Sequence, residues 1–134
     1  MRRSRMTVNP FNHIDLRVSN MTEAMRFYAA LLPQLGFTRE RHGAQWKVFG
    51  AEGEFPQVPY FGFTEQPDHR PNETRIAFWV HSAQAVDRLA EVVRTAGGRN
   101  VSGPRACPEY SSTYYAVFFE DPSGNKLEIC YRTN

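Results

Sequence analysis

The sequence predicts an α+β protein made of two βαβββ modules, which pack into a curled eight-stranded mixed sheet with helices outside. Three observations predict this. Residues 12–36 and residues 74–98 match without a gap: Ile14 falls on Ile76, Leu16 on Phe78, Val18 on Val80, Leu31 on Val93 and Gly36 on Gly98. Each copy reads as a strand, a turn, a helix and a glycine stop, and an ungapped repeat in hydrophobic phase marks a duplicated unit. Three further strand-like runs follow each helix, and one amphipathic helix can cover only one face of a four-stranded sheet.

The elements follow in order. Residues 1–10 are polar, end in Asn9-Pro10 and read as an N-terminal extension, with Met6 a candidate natural start. A single domain follows over 11–134, its modules spanning about 11–66 and 74–132. In residues 13–18, Ile14, Leu16 and Val18 alternate with His13, Asp15 and Arg17, so one face is apolar and the other ionisable. Ser19-Asn20 offers cap chemistry for a helix over 21–32, whose stripe is Met21, Ala24, Met25, Phe27, Tyr28, Leu31 and Leu32. Pro33 ends it, and Leu35-Gly36 turns the chain out. Residues 37–41 and 45–50 read as two strands joined at His42-Gly43, and 57–64 as a third. Pro59 and Gly62 point to an edge position, a bend or a close approach for that third strand. The polar run 65–73 links the modules.

In the second copy, residues 75–81 place Ile76, Phe78 and Val80 on the helix side and Arg75, Ala77, Trp79 and His81 on the other. Ser82 caps a helix over 83–96 that turns Val86, Leu89, Ala90 and Val93 inward, and Gly97-Gly98 ends it. Residues 99–102 read as a short strand and 103–113 as a loop. Residues 114–120 form a strand, Asp121-Pro122-Ser123-Gly124-Asn125 is written in turn residues, and 126–132 forms the last strand.

Composition narrows the function classes. The chain has 134 residues, 41% hydrophobic and 22% charged, enough for one domain with a real core. Its net charge of +2 rests on Arg2, Arg3 and Arg5; without them thirteen basic residues face fourteen acidic ones. The body therefore lacks the electrostatic footprint of a nucleic-acid or anionic-membrane binder. The basic start is followed by no apolar run of a secretory signal, no stretch approaches a membrane span, and the cytoplasm is the expected compartment. Cys107 and Cys130 form no CxxC pair; Cys130 reads as a small buried residue and Cys107 as a free thiol in a loop.

The faces opposite the helices define a concave wall: His13, Asp15, Arg17, Arg75, Trp79 and Glu128, with some of Tyr60, Tyr114 and Tyr115. A polar and aromatic concavity of this kind suits a small organic ligand. Asp15, Tyr60, Arg75, Trp79, Tyr114 and Tyr115 are the candidate ligand-binding residues. Trp79 and the tyrosines could stack on a flat substrate.

The opening 13–37, HIDLRVSNMTEAMRFYAALLPQLGF, the paired modules and the closing 118–129, FFEDPSGNKLEI, together resemble the vicinal oxygen chelate superfamily. It includes glyoxalase I, bleomycin-resistance proteins, fosfomycin-modifying enzymes and extradiol dioxygenases. The resemblance runs from about residue 11 to residue 131. It implies a homodimer and a divalent metal (Zn, Ni, Mn or Fe) held by His or Glu near the first and last strands of each module. His13 matches the first ligand position and Glu128 the last, and Glu128 would also be the catalytic carboxylate. The second module opens instead with Arg75, whose guanidinium has no lone pair for a metal. The last strand of the first module, around Tyr60-Phe61-Gly62-Phe63, offers no carboxylate or imidazole before Glu65. The expected state is thus an incomplete metal site, weakly filled or empty. Arg75 would pair with Glu128 or receive a substrate carboxylate or phosphate. Three readings stay open: a ligand-binding protein with a degenerate metal site; a metal-dependent lyase (lactoylglutathione-lyase-like), isomerase or dioxygenase with His13, Glu128 and a third ligand from Tyr60, Glu65 or His81; and a non-catalytic dimer. His42, His69 and His81 otherwise read as loop or strand-end residues.

Overall fold

The structure is a computed structural model and describes residues 9–54 and 57–133. Most of the expected N-terminal extension, including Arg2, Arg3, Arg5 and Met6, lies outside the described residues.

The first module comprises β1 (His13–Val18), α1 (Met21–Leu31), β2 (Phe37–His42), β3 (Trp46–Ala51) and β4 (Tyr60–Glu65). The second comprises β5 (Arg75–Trp79), α2 (Ala83–Ala96), β6 (Arg99–Ala106), β7 (Tyr115–Glu120) and β8 (Lys126–Tyr131). The duplicated βαβββ plan therefore stands. The eight strands divide into two four-stranded mixed sheets, ordered β1-β4-β3-β2 and β5-β8-β7-β6. In each, the first strand lies at an edge, parallel to the last strand of its own module.

Local chemistry accounts for the helices. Asn20 Oδ1 accepts from Glu23 N at 2.9 Å at the start of α1, and Ser82 Oγ accepts from Ala85 N at 3.0 Å at the start of α2. Pro33 lacks an N–H, so the helix tightens into a 3₁₀ turn, Leu32–Leu35, before Gly36 reverses the chain at φ 98°. In the second copy α2 runs a turn further, and the positive φ of 107° falls at Gly97 rather than at Gly98, the repeat partner of Gly36.

Several sequence expectations move. The 57–64 strand begins only at Tyr60, so Pro59 falls outside the ladder and β4 is an interior strand, not an edge. Gly62 faces Val48, and an added Cβ would lie 3.4 Å from its Cγ2, in van der Waals contact. β6 continues to Ala106, well into the run read as a loop; the second of its two register shifts against β7, between Ser102 and Arg105, absorbs Gly103 and Pro104.

One buried cluster joins both modules: Phe27, Tyr28 and Leu31 of α1 with Phe61 and Phe63 of β4, and Phe78, Leu89, Val93, Phe119 and Ile129 of the second module. The rings of Phe61 and Phe78 lie 5.6 Å apart across the junction. The helix sides of the two sheets thus share one core. A second, smaller cluster of Cys107, Ala116, Phe118 and Cys130, with Tyr114 against it, lies on the opposite face of the second sheet. Among the described residues no helix is long and apolar enough to cross a membrane.

Candidate functional site

Strand parity selects which side chains reach each concave face. In the first module the pleat brings Asp15, Tyr60, Gly62 and Thr64 to a shallow hollow with Trp46 and Val48, of about 300 Å³. Asp15 is held there by Arg17 Nη1 at 3.0 Å. The His13 ring stacks on Tyr60, centroids 4.5 Å apart and planes parallel, with Nδ1 2.7 Å from Asn12 Oδ1. His13 and Tyr60 also reach a larger cleft of about 460 Å³, shared with Phe11, Phe37, Phe78 and Trp79, where the starts of β1 and β4 approach β5.

The second module carries its own hollow, about 330 Å³, lined by Arg75, Asn100, Ser102, Arg105, Tyr110, Phe118, Phe119, Glu120 and Lys126. Register dictates its layout. Arg75 lies opposite Lys126, while Glu128 lies between Ala77 and Phe118. The expected Arg75–Glu128 ion pair does not form, because the two residues are one pleat out of step. Arg75 instead lies over the Phe118 ring, 5.1 Å from its centroid, and Arg105 lies over the same ring at 4.8 Å. Glu128, only 6% exposed, accepts a hydrogen bond from the Tyr114 hydroxyl. Burial, followed by hydrogen bonds to Cys130 and Glu128, pushes the Tyr114 phenol far above its usual 10.0, so it stays a proton donor. Burial also raises the thiols of Cys107 and Cys130, which keeps them protonated and poorly nucleophilic.

The remaining candidates separate. Trp79 is 64% exposed, with the Arg132 guanidinium 4.6 Å from its ring centroid. Tyr115 departs from the concave wall: Ala116 takes that parity, and the Tyr115 hydroxyl donates to Asp87 of α2 at 2.6 Å. Glu65 serves α1, its carboxylate accepting from Met21 N at 2.9 Å. His69 pairs with Asn125 at 2.8 Å and His42 with Glu40 at 2.8 Å. Among the described residues, no three His, Cys, Asp or Glu side chains cluster as a metal set. His13 and Glu128 sit on different sheets, and no hydrogen bond or ion pair joins them. Within one chain, then, these residues do not fit a resident divalent metal.

Arg105, Phe118 and Lys126 were missed. Arg105 was lost with the misread strand, whereas Phe118 and Lys126 were accessible from parity: Ala116, Phe118 and Glu120 share a face, as do Lys126, Glu128 and Cys130.

The closing turn is structural. Asp121 is fully buried and accepts from Tyr28 Oη at 2.5 Å, Ser123 N at 2.8 Å, Asn125 N at 3.0 Å and Asn125 Nδ2 at 2.9 Å. Ser123 Oγ receives Ser19 N at 2.9 Å, and Asn125 Nδ2 donates to Arg17 O at 2.8 Å. The turn of the second module is thereby fastened to the end of β1 and to α1.

Paired βαβββ modules, each with an open concave face, define the fold class. Comparison with known families agrees: residues 11–129 match the Glyoxalase/Bleomycin resistance protein/Dioxygenase superfamily, and the chain belongs to it. An uncharacterised protein of Bacillus subtilis, YqjT, is 27% identical over 128 residues, covering 88% of this chain and 95% of that protein. A glyoxalase/bleomycin resistance protein from Albidiferax ferrireducens T118 superposes with a TM-score of 0.74 at 22% identity, covering 93% of this chain and all of the other. The fosfomycin resistance protein FosX from Listeria monocytogenes gives 0.70 at 18% identity, covering 95% of this chain and 96% of the other. These structural likenesses establish the fold; they do not fix a reaction.

Proposed function

We propose that this protein binds a small organic ligand on the concave face of its second module, with no tightly held resident metal, and that it acts as a homodimer. The observation behind the reading is the pairing pattern on that face. Glu128 is buried and engaged by Tyr114, and Arg75 stands at the repeat position of His13 with a group that cannot ligate. Two donors on separate sheets would hold a divalent ion weakly. Support for the dimer comes from the edges. β1 and β5 each end a sheet, and Phe11 beside β1 and Trp79 at the end of β5 are 72% and 64% exposed. A second copy would cover such apolar edges and deepen both hollows.

Elemental analysis of protein purified without chelator tests the metal side of the reading. The expected Ni, Zn, Mn and Fe contents are far below one per chain. Near-stoichiometric metal that disappears in His13→Ala would transfer the case to a metal-dependent lyase, isomerase or dioxygenase. Thermal-shift screening with organic acids, thiol conjugates and antibiotics tests the ligand side, since only a ligand that binds the folded state raises Tm.

A further inference from the structure

We propose that the hollow of the second module recognises the oxyanion head of an organic acid, a carboxylate or a phosphonate, between Arg75 and Arg105. The proposal rests on the reading that this face is the ligand site and names the class of ligand it takes.

Three cations, Arg75, Arg105 and Lys126, line the hollow against one carboxylate, Glu120. Strand register sets Arg75 directly opposite Lys126. Like charges placed opposite each other across two strands are destabilising, so the pair needs a compensating charge. Glu120 answers only Lys126: its Oε2 lies 3.3 Å from Nζ, and its Oε1 accepts from Asn100 Nδ2 at 3.0 Å. Glu128, one pleat further along β8, accepts a hydrogen bond from the neutral Tyr114 hydroxyl and pairs with neither arginine. Among the described residues, neither Arg75 nor Arg105 forms an ion pair. Arg105 donates to Ser102 Oγ at 2.9 Å, and both guanidinium groups otherwise rest on Phe118.

The two groups reach that ring over the same face from opposite edges of the sheet, Arg75 from β5 and Arg105 from β6. Phe118 itself is 8% exposed and packed, so it is a fixed platform. Each guanidinium presents a rigid fork of N–H donors, most of them uncommitted to protein acceptors. An oxyanion set between the forks would neutralise two like charges and gain charge-assisted hydrogen bonds in one step. Tyr110, 58% exposed and edge-on to Tyr114 at 5.0 Å, stands in the same hollow as an apolar wall for the rest of the ligand.

Isothermal titration calorimetry with benzoate, phenylphosphonate and the neutral isostere benzamide tests this. The expected result is binding of one or both anions, weakened by added salt, with benzamide at least about tenfold weaker. Which anion prevails distinguishes a planar from a tetrahedral head group. Arg75→Gln and Arg105→Gln should each weaken the anion at least about tenfold, and Arg105→Lys by less, because it keeps the charge and loses the fork. Both positions are surface-exposed, and the folding of the three variants is checked by an unchanged Tm. Benzamide binding as well as the anions would overturn the anion inference while leaving the ligand-site reading intact. So would anion binding that ignores both glutamine variants. If none of the three probes binds at millimolar concentration, the inference falls; the broader reading falls only if the thermal-shift panel is silent too.

Discussion

Asp121 is fully buried and collects four hydrogen bonds, and the phenol of Tyr28 supplies the one that crosses between modules. Removing that donor leaves a buried carboxylate short of a partner. Tyr28→Phe should therefore cost about 1–3 kcal/mol in urea denaturation. The same residue gives a pH signature. Burial, reinforced by the nearby Asp121 charge and hydrogen bond, raises the Tyr28 phenol well above 10.0. Below pH 10 both folded and unfolded chains keep this proton, so stability is unaffected. Above it the unfolded chain ionises first, and stability falls as pH rises. The wild type should lose stability above pH 10, and Tyr28→Phe should lose less. Legibility at this scale was uneven. Asp121-Pro122-Ser123-Gly124-Asn125 was readable as a turn from its residue types, but nothing in it announced that it accepts from Ser19 and Tyr28 and donates to the Arg17 carbonyl, about a hundred positions away. Glu128 could be aimed at the concavity from parity; its partner could not, because the choice between Arg75 and Tyr114 turns on a register of one pleat.

At the scale of elements, the helix exits show what a repeat can and cannot convey. Gly36 and Gly98 align in sequence, yet the left-handed residue after α2 is Gly97. Gly98 is small for another reason: an added Cβ would sit 2.8 Å from the Val93 carbonyl oxygen and 2.4 Å from its Cγ1. At Gly97 the space is open, the nearest atom being 4.0 Å away, so substitution there meets only backbone strain of about 1–2 kcal/mol. Gly98→Ala should destabilise more than Gly97→Ala, measured as a larger drop in Tm, since a backbone carbonyl cannot turn aside. Equal drops would mean the α2–β6 corner relaxes freely. The helices themselves were legible because their caps and apolar stripes are local. β6 was legible only over 99–102; its continuation to Ala106 was not, because its irregular pairing is with β7 and Gly103-Pro104 has no strand signal of its own.

The whole molecule is bound together by one core drawn from both modules. Each half contributes its helix face to that shared core, although each repeats the same plan. Fragments cut between 66 and 74 should each be largely unfolded by circular dichroism and regain structure on mixing. A half that folds by itself would show that the shared core is dispensable. This arrangement also explains why the concave faces are open: the apolar sides are spent on each other, and the polar sides, with Arg75 and Arg105 in one hollow and Asp15 and Tyr60 in the other, are left for solvent, ligand or a second copy.

Strand and helix order, the duplication, the apolar faces and the turn residues were all decided within the sequence, because period, capping and backbone preference act over a few residues. Which charged groups stand together was decided only in three dimensions. Strand register, set by core packing and by the long-range grip of Asp121 and Asn125, places Arg75 with Arg105 and Phe118 and turns Glu128 toward Tyr114.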